Sequence, residues 1–161
     1  MRDDEFEAFV DGELSRLLGY ARALTGNDHD AWDLVQEALV RVGLKWSRVE
    51  RSGNPAAYTR TTLARLNIDR LRRRGREQTV ADVPEGVSPA SLPVGLDAWL
   101  ASGLASLSPR QRTAVVLRYV DDLDVAGIAD VMRCSPGTAK SHLSRGVQRL
   151  RDHAPEGDRH G

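Results

Sequence analysis

The stretch that decides the fold lies in the carboxy-terminal part of the chain: "DLDVAGIADVMRCSPGTAKSHLSRGVQRLR", residues 122–151. Apolar side chains recur at helical spacing on both sides of a short segment around Arg133. Asp124 is placed to cap a first helix, and Ser135, which a proline follows, to cap a second. The pattern predicts two helices that join at a tight turn and cross at the small Ala129, which is the helix-turn-helix arrangement.

The second helix of this pair is basic on its outward face and apolar on its inward face. A helix N-terminus offers N–H groups to phosphates, and the major groove admits a helix, so this face predicts contact with duplex DNA. An ordinary helical hairpin with a basic surface is the alternative for this segment alone. The candidate DNA-binding residues are Ser135, Thr138, Lys140, Ser141, His142, Ser144, Arg145 and Arg149.

A second concentration of positive charge lies upstream, in "IDRLRRRGRE" at residues 68–77. Lys+Arg and Asp+Glu are equal over the whole chain, at 23 each, yet residues 60–76 hold seven arginines and one aspartate. Asn54 and Pro55 predict the start of the helix that carries them, and Gly75 predicts its end near Arg74. Arginines at this density neutralise phosphates and make binding dependent on salt. The candidates in this group are Arg60, Arg70, Arg72, Arg73, Arg74 and Arg76.

The first 37 residues have the opposite charge, with ten acidic and three basic side chains. Helical spacing predicts one helix from Phe6 that stops at Gly26 and Asn27, and another from about Asp28. The second of these carries an acidic and polar stripe, which suits a basic helical partner. A solvated helix face is the alternative. The stripe consists of Asp30, Asp33, Gln36 and Glu37.

Length and composition limit the class of protein. A chain of 161 residues fits one ordinary domain or two very small ones. No apolar run approaches the roughly 20 residues that span a bilayer, and the acidic start does not resemble a signal peptide, so a cytoplasmic location is expected. The one cysteine, Cys134, has no partner for a disulfide, and the four histidines lack ligand spacing. The sequence therefore predicts no metal and no cofactor.

Between the two charged parts lies "QTVADVPEGVSPASLPVGLD", residues 78–97, which holds three prolines and no steady period. It reads as a linker that can tether two domains working at separate places. A short helix near Ala98 and a capping box at Ser108–Gln111 follow it. No strand pattern competes, so the predicted fold is all-α, with two small helical domains. The predicted boundaries are 1–76, 77–97 for the linker, 98–152, and 153–161 for a disordered tail.

Two segments in this order resemble one known family. "LASLSPRQRTAVVLRYVDDLDVAGIADVMRCSPGTAKSHLSRGVQRLR", residues 104–151, resembles region four of bacterial extracytoplasmic-function (ECF) sigma factors. "DAWDLVQEALVRV" at 30–42 and "NPAAYTRTTLARLNIDRLRRRGR" at 54–76 resemble region two of the same family. The resemblance covers residues 6–151 and is to small, actinobacterial-type members.

The resemblance implies a subunit of RNA polymerase. Region two would bind the clamp of the largest polymerase subunit through the acidic stripe and open the minus-ten promoter element. Region four would read the minus-thirty-five element in the major groove and meet the polymerase flap. The family also implies an anti-sigma partner that holds the two domains together, and a chain that is monomeric when free.

Melted promoter DNA needs flat side chains on which unpaired bases can stack. Trp46 and Tyr58 are the candidates, with core packing as the alternative for each. Arg65 aligns with an asparagine that is common in the minus-ten-reading helix, and Asn67 lies two places further on. Both are therefore candidates for contact with this element.

Four positions depart from the family pattern. Trp32 stands where an acidic or small residue is common, and Arg65 replaces the asparagine. Arg133 stands where glycine is usual, so it must either take a positive φ or reshape the turn. Ala139 replaces a larger apolar residue and predicts looser packing of the last helix.

Two other classes of protein compete with a sigma factor. A free-standing helix-turn-helix regulator that binds duplex DNA as a dimer explains the last helix but leaves the arginines and the acidic stripe without a role. A nuclease would use the amino-terminal carboxylates, which lack a partnering base, so no enzyme is expected. Those carboxylates are Asp3, Asp4, Glu5, Glu7, Asp11 and Glu13.

Overall fold

The computed structural model describes residues 2–77 and 96–156, and all regular structure within them is helical, which confirms the all-α prediction. Most of the predicted linker and the last five residues of the predicted tail lie outside the described residues, as does the side chain of Arg76. The helices are α1 (Arg2–Thr25), α2 (Asp28–Leu44), α3 (Trp46–Arg51), α4 (Pro55–Glu77), α5 (Ala98–Ser106), α6 (Pro109–Tyr119), α7 (Val125–Met132) and α8 (Pro136–His153).

The predicted capping residues begin their helices as expected. Asn54 Oδ1 accepts a hydrogen bond from the Ala57 N–H at 3.1 Å, and Asp124 Oδ1 accepts one from the Gly127 N–H at 2.8 Å. Ser108 and Gln111 form the predicted capping box. These side chains satisfy N–H groups that have no partner within the helix, which fixes the residue at which each helix starts.

Three details of the helices differ from the sequence prediction. Helix α1 begins at Arg2, four residues before the predicted Phe6. Helix α4 continues through Gly75 to Glu77 instead of ending near Arg74. A glycine inside a helix costs only about 1 kcal/mol relative to alanine, and no proline follows until Pro84, so Gly75 alone does not end the helix. The short helix α3, which begins at Trp46, was not predicted.

Helices α1–α4 form an amino-terminal bundle and α5–α8 form a carboxy-terminal bundle, and the two bundles share one hydrophobic core. Leu24 and Ile68 from the first bundle are buried in the same cluster as Leu117 and Ile128 from the second. The contacts between the bundles join α1 to α6 and α4 to α6 and α7. Burying each such side chain contributes about 1.5–3 kcal/mol. The bundles are therefore packed against each other rather than merely tethered.

Two glycines give a matched test of helix packing. A Cβ at Gly146 would lie 2.8 Å from Val115 Cγ2 and 3.3 Å from the Gln111 carbonyl oxygen, whereas a Cβ at Gly75 would meet nothing within 4 Å. Gly146→Ala is therefore expected to lower the free energy of unfolding by about 1–2 kcal/mol, because overpacking outweighs the gain in helix propensity. Gly75→Ala is expected to raise it by about 0.5–1 kcal/mol. Urea unfolding measures both changes, and changes of the same sign would contradict the packing described here.

Candidate nucleic-acid interface

Helix α8 presents the predicted DNA-binding residues on its outward face. Its inward face packs on α6 and α7 through the buried Ala139 and Gly146. His142 alone of the eight candidates is partly buried. The seven exposed candidates are Ser135, Thr138, Lys140, Ser141, Ser144, Arg145 and Arg149. The structure therefore places one continuous polar and basic surface along α8.

The beginning of α8 is fixed by its cap. Ser135 Oγ accepts a hydrogen bond from the Thr138 N–H at 3.1 Å and lies 2.9 Å from Thr138 Oγ1. At the other end, Arg149 Nη1 donates to the Ser106 carbonyl at 2.8 Å and holds α8 against the end of α5. The basic surface is thus mounted on a helix that is held at both ends, and the positive end of the helix dipole lies beside Thr138.

The pKa of His142 is lowered from its ordinary value of 6.5, first by burial and then by the positive charges of Arg110 and Arg145. The imidazole is therefore neutral at pH 7 and adds no charge to the α8 surface. Because the unfolded chain takes up this proton first as the pH falls through 6.5, the contribution of His142 to stability is complete above that pH and decreases below it.

An NMR titration tests this assignment. The His142 midpoint is expected below 6.5, and Arg145→Gln is expected to raise it because one of the two positive neighbours is removed. Replacing the distant Arg118 with glutamine is the matched control and should leave the midpoint unchanged. A midpoint at or above 6.5 in the original chain would show that His142 is solvated and charged like a free histidine.

The turn between α7 and α8 shows which of the two alternatives predicted for Arg133 is correct. This residue has φ 54° and ψ 49°, in the left-handed region, so the first of the two predicted alternatives is correct. Its guanidinium Nη1 lies 2.8 Å from Asp69 Oδ1 on α4. The residue that closes the helix-turn-helix is therefore also joined to the amino-terminal bundle.

Two arginines of α4 hold α2 in place. Arg70 Nη1 lies 3.5 Å and Arg74 Nη2 3.2 Å from the carboxylate oxygens of Asp30. The Asp30 side chain is only 17% exposed, unlike those of its stripe neighbours Asp33 and Glu37. Asp30 thus packs inward against α4, while the rest of the predicted polymerase-binding stripe faces outward.

Three other arginines of α4 contact the carboxy-terminal bundle. Arg60 Nε lies 2.8 Å from Asp121 Oδ1, and Arg65 Nη2 lies 3.1 Å from Asp130 Oδ2. Arg72 donates to the carbonyl oxygens at the end of α7. Asp121 was not singled out from the sequence. These contacts place much of the arginine-rich face of α4 against the other bundle.

Asp121 also accepts a hydrogen bond from the Tyr20 hydroxyl at 2.6 Å, so one carboxylate joins α1, α4 and the α6–α7 connection. Burial, followed by the negative charge of Asp121, raises the pKa of Tyr20, so this phenol stays protonated and continues to donate. The Asp121 side chain is only 9% exposed. It forms the most enclosed ion pair described between the bundles.

Arg112, on α6, is a buried cation at the same junction. Its guanidinium donates to the Leu107 carbonyl and, across the bundles, to the Leu24 carbonyl, each at 3.3 Å. Burial lowers its pKa to about 10, so it is still charged at pH 7. Sequence reasoning missed this residue, because a sequence shows that an arginine follows a capping box but not which carbonyls surround it.

The predicted stacking residues lie in different environments. Trp46 is 7% exposed and packs against Phe6 and Phe9, with ring centroids 5.4 and 5.2 Å apart. Tyr58 is partly buried beside the same cluster. Core packing, the alternative given for Trp46, therefore describes its surroundings in this structure. Contact with unpaired bases stays a prediction for both residues.

Asn67, the other candidate in α4 for base contact, also lies inside the bundle. It is 2% exposed, and its side-chain Nδ2 has no hydrogen-bond partner. Helical periodicity turns this position toward the core, whereas Arg65, two residues earlier, faces outward. For Asn67 to contact DNA, the helices that now bury it would have to move away from α4.

Exposed apolar side chains lie on α2 beside the acidic stripe. Trp32, Val40 and Leu44 are exposed, and Leu44 most of all, at 83%. They follow one another at intervals of four or eight residues and so lie along one side of the helix. Trp32 departs from the family pattern in the sequence, whereas Val40 and Leu44 became apparent only from their exposure in the structure. The sequence pattern that indicates such residues is an apolar side chain on α2 that lies outside the stripe of apolar residues forming the core.

A groove of about 460 Å³ on the carboxy-terminal bundle is also apolar. It lies among α5, α6 and α8 and is lined by residues that include Trp99, Leu104 and Leu150. Tyr119 and Val120 are exposed at the end of α6 and also line it. Apolar surface of this kind is typical of a site at which another protein binds.

Within the described parts of the chain, no helix is long and apolar enough to cross a bilayer. Nor does any group of three or more histidine, cysteine or acidic side chains among those residues lie close enough to hold a metal ion.

The helix-turn-helix with an outward basic second helix is the arrangement of a DNA-binding protein. Comparison with known protein families agrees with this class and identifies the family. The family model described as "Sigma-70 region 2" matches residues 9–77, and that described as "Sigma-70, region 4" matches residues 98–150. The chain belongs to the sigma-70 family and is an RNA polymerase sigma factor of the ECF type, as the resemblance predicted.

Relatives match along nearly the whole chain. The RNA polymerase sigma-E factor of Streptomyces coelicolor is 33% identical over 150 residues, which are 92% of this chain and 85% of the relative. The ECF sigma factor SigW of Bacillus subtilis is 27% identical over 92% of this chain and 88% of its own. Among solved structures, the sigma factor RpoE of Bartonella quintana, in complex with the anti-sigma factor NepR, is similar with a TM-score of 0.62 and 27% identity. That match covers 92% of this chain and 96% of RpoE.

Proposed function

We propose that this sigma factor recognises promoters through two surfaces, one on each bundle, and carries out no chemistry of its own. Residues 1–76 would form region two and residues 98–152 region four, with 77–97 as the linker. The observation that carries the proposal is the exposed basic face of α8, which is held rigidly by its cap and by Arg149.

In region four, α8 would enter the major groove at the minus-thirty-five element. Lys140 and Arg145 would contact phosphates or guanine edges, and Thr138 and Ser141 would reach base edges. All four side chains are exposed, which supports this assignment. His142, which is neutral at pH 7, would contribute hydrogen bonding rather than charge.

In region two, the arginines of α4 would bind the backbone of the minus-ten element once its strands separate. Arg73 is exposed, and Arg60, Arg65 and Arg72 would contribute after release from the other bundle. Tyr58, which is partly exposed beside them, is the better placed of the two aromatic candidates to stack on a base.

Core polymerase would bind at two places. The outward stripe of Asp33, Gln36 and Glu37, flanked by Trp32 and Val40, suits a clamp surface that is both basic and apolar. The groove that Trp99 and Leu150 line would receive the polymerase flap.

An anti-sigma factor is a further proposed partner. The similar Bartonella sigma factor was solved with one, and the two exposed apolar surfaces of this chain would suit such a protein. Without partners the chain would be a monomer, and it would act in the cytoplasm.

Transcription reconstituted with core RNA polymerase from Streptomyces coelicolor tests this function. The chain is expected to direct initiation from a subset of a randomised promoter library, and no promoter-dependent initiation would exclude the proposal. Asp33→Lys with Glu37→Lys is expected to weaken binding to core polymerase. The control, Asp3→Lys with Glu7→Lys, makes the same charge change on the exposed part of α1 and should bind normally. If the chain instead forms a stable dimer that binds a palindromic site in duplex DNA without polymerase, the free-standing regulator is favoured.

A further inference from the structure

A small cavity lies at the junction of four helices. Its volume is about 30 Å³, and its lining comes from the end of α1, from α2, from α4 and from the start of α6. A cavity needs about 10–15 Å³ to hold one water, so this one has room for a single small ion or one or two waters and is too small for a phosphate group. The polar residues of the lining are Thr25, Asp30, Asn67, Arg70, Arg74 and Arg112.

Two of these residues carry buried N–H groups that have no hydrogen-bond partner. Arg112 and Asn67 are 1% and 2% exposed, and the unpartnered atoms are Arg112 Nε and Asn67 Nδ2. A buried donor without an acceptor is unfavourable, and in folded proteins such a group is commonly satisfied by a bound water or ion. Asn67 belongs to α4 and Arg112 to α6, so the cavity suits a species that accepts hydrogen bonds from both bundles.

The charges around the cavity favour an anion. Arg70 Nη1 and Arg74 Nη2 lie 3.5 and 3.2 Å from the carboxylate oxygens of Asp30. Arg112 donates to two neutral carbonyl oxygens, and no carboxylate among the described residues forms an ion pair with it. Pro109, the first residue of α6, also lines the cavity and places the positive end of a helix dipole there. A buried charge is costly without a counter-charge, which an anion beside Arg112 supplies.

A water matches this lining less well than an anion. A water must donate hydrogen bonds as well as accept them, and acceptors on the lining already have donors. Thr25 Oγ1 and the Asp30 carboxylate each accept a hydrogen bond, as does the Leu24 carbonyl. A halide ion accepts hydrogen bonds and donates none, so it matches a lining in which donors are in excess.

We propose that a chloride ion binds in this cavity, accepts hydrogen bonds from Arg112 Nε and Asn67 Nδ2, and supplies the buried guanidinium with a counter-charge. The bound ion joins α4 of one bundle to α6 of the other. Chloride therefore stabilises the folded chain beyond the general effect of ionic strength. This site is separate from the surfaces assigned to DNA and polymerase, so it goes beyond the proposed function.

Urea unfolding of the full chain tests the proposal at a constant ionic strength of about 0.3 M, with sodium chloride exchanged stepwise for sodium gluconate. Gluconate is too large for the cavity, and urea, unlike guanidinium chloride, supplies no chloride. An ion that binds only the folded chain lowers the unfolding equilibrium constant by up to ten-fold for each ten-fold rise in its concentration. A fall of about three-fold or more is expected relative to the Asn67→Asp variant, which corrects for general differences between the two salts. A smaller difference would overturn the proposal.

The Asn67→Asp variant replaces the unpartnered amide with a carboxylate of nearly the same shape. The carboxylate takes over the role of the anion beside Arg112, so this variant should lose the chloride dependence. Asn54→Asp is the matched control, because it makes the same chemical change at an exposed helix cap that aspartate also fills. The control should keep the dependence of the original chain. Equal dependence in the two variants would contradict a site at Asn67.

A second measurement locates the ion in the original chain. Crystals grown in sodium bromide place an anomalous scatterer wherever chloride binds. An anomalous peak is expected in the cavity, within hydrogen-bonding reach of Arg112 Nε and Asn67 Nδ2. A water at this position, or bromide at exposed arginines alone, would overturn the proposal.

Discussion

Replacing Arg112 with alanine is expected to lower the free energy of unfolding by about 2–4 kcal/mol. The guanidinium donates to the carbonyls of Leu24 and Leu107, and both of these residues are buried. Each carbonyl left without a donor costs about 1–3 kcal/mol, and the cavity adds to this. The alanine variant no longer buries a charged group, and this favourable change offsets part of the loss. Urea unfolding followed by circular dichroism measures the change.

Two control variants separate the hydrogen bonds from the volume of the side chain. Arg112→Met fills most of the same space and is expected to lose less than Arg112→Ala. Arg110→Ala removes the same side chain from a partly exposed position two residues earlier, where a change within about 0.5 kcal/mol is expected. A loss at Arg112 no greater than that at Arg110 would show that the buried guanidinium is not what joins α6 to the end of α1.

Replacing both Lys140 and Arg145 with alanine is expected to weaken holoenzyme binding to a duplex minus-thirty-five element by about 100-fold or more. A side chain that reads a base edge contributes about 1–3 kcal/mol, and the two contacts act at separate positions on the DNA. If one of them binds a phosphate instead, the slope of log affinity against log salt should fall by about one. Fluorescence anisotropy at several salt concentrations distinguishes the two roles.

The matched control for this pair is Arg118→Ala, which removes a positive charge from an exposed side chain of the same bundle but not from α8. Its binding is expected to fall less than three-fold. Neither Lys140 nor Arg145 lies in the core, so the double variant should unfold at the same urea concentration as the original chain. Unchanged promoter binding by the double variant would show that α8 does not read the DNA.

The sequence predicted those features that depend on neighbouring residues. Asn54, Ser108 and Asp124 act within one helical turn, so their capping roles follow from local chemistry. The outward face of α8 follows from the same periodicity that places Ala139 in the core. The left-handed Arg133 was one of two stated alternatives, because only the assembled turn selects between them.

Features that depend on distant residues could not be predicted. Asp121 meets Tyr20 and Arg60, which are 101 and 61 residues away, and nothing in the local sequence indicates either partner. The inward position of Asp30 likewise depends on α4. Trp46 was ambiguous because an aromatic side chain suits both a base and a core, and the positions of Phe6 and Phe9 became known only from the structure.

The hydrophobic core that runs through both bundles bears on how fragments of this chain behave. Cutting the chain after α4 would leave Leu24 and Ile68 on one half, and Leu117 and Ile128 on the other, without their present neighbours. Each half would carry a broad water-facing apolar patch and would tend to self-associate. Affinities measured on either isolated half would then report aggregation together with recognition.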